Sequence, residues 1–224
     1  LKKKNLNLAQ FDFRYSHHNR AFAQKYGIGG DFRPIDVKEE ADQIVAQYDL
    51  AISLHCKQKF PAKLVNSIPC INVHPGYNPF NRGWYPQAFS IINKLPVGVT
   101  IHKMDEQLDH GDIIYRKQVE IESWETSAEV YHKILQLEVQ MLDECIENLL
   151  LGNYPLQPPE MEGNYNRIED YKKLCQIDLN EKVTFREAID RLRALTHGDY
   201  RNAYFIDEKG NKVWIKIALE KADS

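Results

Sequence analysis

Short apolar runs, each cut off by polar or turn-forming residues, limit the possible folds of this chain more than any other feature. They occupy residues 49–54 (DLAISL), 70–73 (CINV) and 97–104 (VGVTIHKM), with a longer, more amphipathic run at 113–121 (IIYRKQVEI). Runs of this length without polar alternation are typical of strands buried on both faces. Residues 8–15 (LAQFDFRY) alternate and suit a further strand. Between these runs the sequence predicts helices at 19–26, 37–47, with Ile44 and Val45 for its buried face, and 61–66, with proline near the first position. Gly27, Gly29 and Gly30 predict a turn. Strands alternating with helices imply βαβ units and an α/β domain with a mainly parallel sheet.

The clearest local signal is a helix over 127–151. Thr126 and Glu129 form a capping-box pair, and Gly152 stands where a C-terminal glycine stop belongs. Val130, Ile134, Leu137, Met141, Cys145 and Leu149 step down one face, which assigns them to the core rather than to chemistry. Residues 153–167 (NYPLQPPEMEGNYNR), with three prolines and a glycine, predict a surface linker. Beyond it, 184–195 reads as an amphipathic helix, and 204–206 with 213–217 as a β-hairpin around a glycine-containing loop. The expected organisation is a catalytic domain over 1–152, a linker over 153–168 and a small C-terminal helix-hairpin region over 169–224.

Composition narrows the function. With 43% hydrophobic and 27% charged residues, the 224-residue chain can bury a core. A net charge of −3 argues against a nucleic-acid binder. No apolar run approaches a membrane span of about 20 residues. Cys56, Cys70, Cys145 and Cys175 are widely spaced, which points to reduced thiols in a cytoplasmic protein, with neither disulfides nor a metal site.

Chemistry-bearing residues gather at strand ends, where open α/β sheets place ligands. Asn72 and His74, in INVHPG, fall on one face of a strand because the side-chain period is two. An amide and an imidazole aimed together can polarise a carbonyl and move a proton. The loop 105–112 (DEQLDHGD) follows the strand that holds Thr100 and His102. Each feature also has a plainer reading: a turn with a hydrogen-bonded histidine at Asn72 and His74, solvated carboxylates in the loop, and a packed His102. The adjacent His17 and His18 suit an anion or metal contact, or simply a turn. There is no G-x-G-x-x-G, Walker loop, G-x-S-x-G or H-E-x-x-H, so dinucleotide oxidoreductases, P-loop enzymes, α/β-hydrolases and zincins lack support.

Taken together, INVHPGYNPFNRGWYPQAFSI and, about ten residues on, VGVTIHKMDEQLDHGDII resemble the core of the 10-formyltetrahydrofolate-dependent formyltransferases. The upstream HCKQKFP and downstream LRALTHGDYRNAYF narrow the resemblance to sugar-nucleotide N-formyltransferases acting on dTDP-4-amino-4,6-dideoxyglucose, an O-antigen precursor. The resemblance implies a Rossmann-like formyltransferase fold, a 10-formyltetrahydrofolate co-substrate without a metal, and a homodimer. It places the catalytic roles on Asn72, His74 and Asp109. Asn72 would donate to the oxyanion, and a protonated His74 would donate beside it. Asp109 would favour that cation and accept the amine's proton.

The same resemblance assigns the folate to Gln58, Lys59 and Phe60 and to Glu106, Gln107 and Leu108, largely through main-chain groups. Lys57 and Arg82 become pyrophosphate partners, and Trp84 and Tyr85 stacking or core aromatics. Arg201 and Tyr204, with Tyr200, are substrate contacts from the C-terminal region. Formyltransferases acting on glycinamide ribonucleotide or methionyl-tRNA, and a non-catalytic sugar-nucleotide-binding module, are the competing readings. By the same comparison, the chain is expected to lack the first strand and helix of its sheet, with residues 1–6 forming the end of that helix.

Overall fold

The computed structural model describes residues 11–20 and 32–222. Most of the predicted helix at 19–26, the three glycines after it, residues 8–10 of the first predicted strand and the helix end at 1–6 lie outside these residues. Strand β1 (Arg14–Ser16), followed by a 3-10 turn, pairs in parallel with β2 (Arg33–Ile35). Helix α1 (Ala41–Gln47), β3 (Ala51–Leu54), α2 (Ala62–Val65) and β4 (Cys70–His74) come next, then the short β5 (Arg82–Gly83) and α3 (Pro86–Asn93). Strands β6 (Val97–Lys103) and β7 (Ile113–Val119) lead into α4 (Ser127–Leu151).

The main sheet has the order β3-β4-β6-β7. The α/β class holds: β3 and β4 pair in parallel with α2 between them, and β1 and β2 form a separate parallel ladder. Beyond β4 the pairing is antiparallel at β4–β6 and β6–β7. The connection 104–112 between β6 and β7 holds no helix and cannot carry the chain through a parallel crossover.

The helix predicted from its caps runs over Ser127–Leu151. Thr126 accepts the Ala128 N–H, Glu129 reaches back, and Gly152 closes the helix at φ +67°. Its stripe, including Val130, Ile134, Met141 and Leu149, packs with Ile71 and Val73 of β4 and Val99 and Ile101 of β6 in one core. Each such side chain contributes about 1.5–3 kcal/mol. Glu138 is buried in the same stripe, against expectation. Helix α3 was invisible to periodicity because six of its eight residues are buried. A second cluster joins Val37, Ala41 and Ile44 to Leu64, Val65 and Cys70. The helix predicted from 37 starts at Ala41 because Asp36 accepts the N–H groups of Lys38 and Glu39 in a turn.

Residues 153–168 do more than connect. Gln157 exchanges both backbone hydrogen bonds with Ile113, and β8 (Tyr165–Asn166) pairs in parallel with β5. Helices α5 (Ile168–Cys175) and α6 (Phe185–Leu195) follow, then a hairpin of β9 (Tyr204–Ile206) and β10 (Lys212–Trp214). Tyr171, Ala194, Leu195 and Ala203 join the main core, so the C-terminal region is packed into it. Arg193 bolts α6 down: buried, it donates to the carbonyls of Glu122 and Glu125 at 2.9 and 2.7 Å and to Asp190 at 2.7 Å. Among the described residues no helix is long and apolar enough to cross a membrane, and no cluster of His, Cys, Asp or Glu is placed to hold a metal ion.

Removing Arg193 strands two carbonyls and weakens the partnering of the half-buried Asp190 carboxylate. Arg193→Ala should cost about 3 kcal/mol and lower Tm by roughly 6–12 °C in a thermal melt. A shift below about 2 °C would contradict this docking role.

Candidate active site

Asn72 and His74 project from the same face of β4, whose backbone is fixed by β3 on one side and β6 on the other. The third residue, Asp109, comes from the loop after β6 and stands in the left-handed region at φ +50°. That loop closes tightly: a Cβ at Gly111 would lie 1.9 Å from the Lys103 carbonyl oxygen, so the Asp-x-Gly spacing needs its glycine.

Asn72 Nδ2 donates to Asp109 Oδ1 at 3.1 Å, and the Gly83 backbone N–H donates to Oδ2 at 3.2 Å. Asn78 Nδ2 holds the Asp109 carbonyl at 2.8 Å. His74 Nδ1 lies 3.5 Å from Oδ1, and His102 Nε2 3.8 Å from the same oxygen. The hydrogen-bond network assigns His102 Nδ1 as donor to the Lys103 carbonyl at 3.0 Å. Its Nε2 then accepts the second Asn72 N–H at 3.3 Å. His102 is therefore a packed residue that aims Asn72. Thr100 fixes the turn after β4, donating to the Gly76 carbonyl and accepting the Asn78 N–H.

Burial pushes the Asp109 carboxyl upward, but the facing His74 and His102 and the Gly83 N–H hold it well below the usual carboxylate range. The outcome for His74 is opposite. Burial lowers its pKa and outweighs the pull of Asp109. The expected cationic His74 is thus corrected: the imidazole is neutral near pH 7 beside an ionised carboxylate. Its Nε2 is buried without a hydrogen-bond partner. A neutral ring with Nδ1–H toward Asp109 leaves Nε2 as its basic atom; that atom faces the Gly76 turn, and His74 itself lines neither of the two cavities at Asp109. Asn72, expected as a free oxyanion donor, has both N–H groups engaged by Asp109 and His102, so it must re-aim one of them to serve.

Asp109 lines two cavities. The smaller, about 70 Å³, is lined by Gln58, Lys59, Phe60, Gln107 and Leu108 together with Asn72, which gathers five of the six residues expected at the folate. The sixth, Glu106, accepts from Asn66 at 2.9 Å instead and does not line it. The Gln58 side chain turns toward the β1–β2 ladder, donating to Ser16 Oγ and the Ile35 carbonyl and accepting the Val37 N–H. The larger cavity, about 340 Å³, is lined by Arg82, Asn78, His110, Met161 and Glu162.

The expected substrate contacts fare unevenly. Arg82 is at the larger cavity but is buried, donating to Glu162 at 2.8 Å. Tyr85 stacks on Tyr171 at 4.0 Å and belongs to the core, while Trp84 is partly exposed beside it. Lys57, Trp84, Tyr85, Arg201 and Tyr204 line neither cavity. Tyr204 is engaged within the hairpin, under Lys212 and edge-on to Trp214. The His17 and His18 rings lie against each other, tilted, in the turn after β1, with His17 3.4 Å from Asp36.

Sequence reasoning missed the scaffold around the trio. Asn81, fully buried, accepts at Oδ1 from Asn93, Asn164 and Asn166 at 2.6, 2.7 and 3.2 Å. It fastens residues 153–168 over the loop that presents Gly83. The density of asparagine in NPFNRG and GNYN was the available signal.

Residues 20–146 match the Formyl transferase family, and residues 170–221 match the N-formyltransferase dimerization C-terminal domain. This chain belongs to the formyltransferase family. Over 185 residues the formyltransferase is 49% identical to the dTDP-4-amino-4,6-dideoxyglucose formyltransferase of Mycobacterium tuberculosis, covering 83% of this chain and 79% of the relative. It superposes on the crystal structure of a 4-N formyltransferase from Francisella tularensis with a TM-score of 0.90 and 52% identity, over 94% of this chain and 87% of the other. A methionyl-tRNA formyltransferase from Fervidobacterium nodosum is 35% identical over 137 residues, 60% of this chain and 42% of that protein.

Gly76 gives the geometry a direct test. A Cβ there would meet His74 Nε2 at 2.4 Å, so the imidazole must move. Gly76→Ala should fold normally yet lose at least about 10²-fold in kcat/KM, the scale of an ångström-level misplacement. Unchanged turnover would mean that His74 does not need its observed position.

Proposed function

We propose that this formyltransferase transfers the formyl group of 10-formyltetrahydrofolate to the 4-amino group of dTDP-4-amino-4,6-dideoxyglucose, making a formamido sugar for lipopolysaccharide O-antigen. The observation that carries the reading is Asp109, one carboxylate lining both a narrow cavity and a wider one, with Asn72 on the narrow one and His74 3.5 Å behind the carboxylate. An acyl transfer between two bound molecules needs its acid-base group where they meet. The curated relative supports the sugar nucleotide, and the Francisella structure supports the C4 amine. The net charge of −3 weighs against a tRNA substrate.

The narrow cavity suits a flat, amide-edged ring: Phe60, Met104 and Leu108 are apolar walls, and Ser53 and Gln107 are polar ones. The co-substrate supplies an activated N-formyl carbonyl. The residues supply the proton movements. Neutral His74 takes the proton that the sugar's ammonium group must lose before it can attack, so one transfer makes both the nucleophile and an imidazolium. The imidazolium, with Asn72, then stabilises the negative charge growing on the formyl oxygen. Asp109, ionised up to that point, accepts the second proton shed by the attacking nitrogen and returns to its anion when it hands that proton to the departing one. In the larger cavity Glu162 caps Arg82, so a diphosphate would reach the guanidinium only by displacing that carboxylate.

Assembly as a homodimer through the C-terminal region, in a cytoplasmic protein, completes the reading. Ile206 and Trp214 of the hairpin are partly exposed, and the region matches a dimerization domain.

Incubation with 10-formyltetrahydrofolate and a panel of dTDP-amino sugars should give a formamide product by mass from the 4-amino-4,6-dideoxyglucose compound. Asn72→Ala, His74→Asn and Asp109→Asn should each keep the fold and lower kcat by about 10²-fold or more. Near-normal turnover in any two of the three would remove this mechanism, and product only from other amines would remove the substrate assignment.

A further inference from the structure

The mechanism makes no use of Glu138, although it is the most anomalous residue in the core. It sits midway along α4 in the stripe that includes Ile134 and Met141, and is 4% exposed. One oxygen, Oε1, is buried without a hydrogen-bond partner; the other is 2.7 Å from Nε2 of His55. A helix that only had to pack would carry leucine there, since a buried ion pair seldom outdoes well-packed apolar side chains. His55 is unusual in turn. It directly follows β3 and holds φ +51°, the left-handed region that residues other than glycine rarely occupy.

The chain then enters the wall of the narrow cavity, with Cys56, Gln58, Lys59 and Phe60 among the lining residues. This wall segment is fastened at two points by polar side chains. Gln58 ties it to the β1–β2 ladder, and His55 ties its start to the centre of α4. The strained conformation of His55 persists only if something outside the segment holds it; α4 supplies the Tyr131 ring, edge-on at 6.4 Å, and Glu138 as the hydrogen-bonding group.

We propose that Glu138 and His55 are a positioning pair that sets the conformation of residues 55–60, and thereby the affinity and placement of the folate co-substrate. The pair acts through the loop rather than on the reacting atoms. The inference rests on the reading that the narrow cavity takes 10-formyltetrahydrofolate.

Four proteins test it: the unmodified chain, Glu138→Leu, Glu138→Gln and His55→Ala. Folinic acid binding is measured by calorimetry, steady-state KM for both substrates from the rate of formamide product formation by mass, and Tm by melting. Glu138→Leu should melt at or above the unmodified protein. Its Kd for folinic acid and KM for 10-formyltetrahydrofolate should rise about 10-fold or more, with the KM for the sugar nucleotide unmoved and kcat reduced no more than about threefold. His55→Ala should reproduce the same split. Glu138→Gln, which keeps an acceptor for His55, should stay within about threefold of the original on every measure.

Unchanged folate affinity in both Glu138→Leu and His55→Ala would overturn the proposal, as would equal losses for both substrates or a loss of Tm without a change in affinity. Should Glu138→Leu fail to fold, the split in His55→Ala decides. An unmodified protein that binds no folinic acid would sink the formyl-transfer reading itself, a result distinct from normal binding that the variants leave untouched.

Discussion

A single carboxylate, its side chain 16% exposed, organises the site. Removing an ionised group from water costs several kcal/mol even after the protein relaxes, so Asp109 needs partners from every side. Asn72 donates from β4, Gly83 from the short strand β5, and Asn78 grips the carbonyl of the same residue. His74 and His102 face it from adjacent antiparallel strands. The partners come from β4, the turn after it, β5 and β6, and the charge therefore acts as the point on which those pieces converge.

That convergence explains features with no chemistry of their own. Gly111 is required by the closeness of the loop to the Lys103 carbonyl, and Gly76 by the closeness of the turn to His74. Asn81 collects amide donors from α3 and from the segment beyond α4, which holds β5 against β8 and keeps the Gly83 N–H aimed at Asp109. Arg116 of β7 adds a donor to the Asn78 carbonyl at 2.8 Å and pairs with Glu160 of the same overlying segment. A stretch rich in proline, which reads as a tether, is thus part of the wall of the larger cavity through Pro159, Met161 and Glu162.

Most of the frame was legible because it rests on local rules. Apolar runs gave β3, β4, β6 and β7 to within a few residues, and caps gave α4 its termini. Asn72, His74 and Asp109 were singled out together by a family resemblance that rests on two strand-end motifs, and the structure sets them side by side. What escaped depends on non-local packing. Helix α3 is buried on most sides and has no polar face to set a period. Strands β5 and β8 are two residues each and exist only by pairing with one another. Gln58 was placed correctly, but its side chain serves the β1–β2 ladder. The charge of His74 was misjudged because a sequence shows the neighbouring carboxylate and not the depth of burial, and here burial outweighs it. Glu138 lay unnoticed between two apolar stripe positions for the same reason.

The central claim is that the resting site holds an ionised Asp109 beside a neutral His74, ready to take a proton from the incoming ammonium group. Nitrogen-15 NMR of histidine-labelled protein, titrated without ligands, measures this directly. The account predicts a His74 resonance that remains neutral at pH 7, carries its proton on Nδ1 and titrates below the ordinary histidine value of about 6.5. A His74 that is already imidazolium at pH 7 in the ligand-free protein, or one protonated at Nε2 instead, would contradict it.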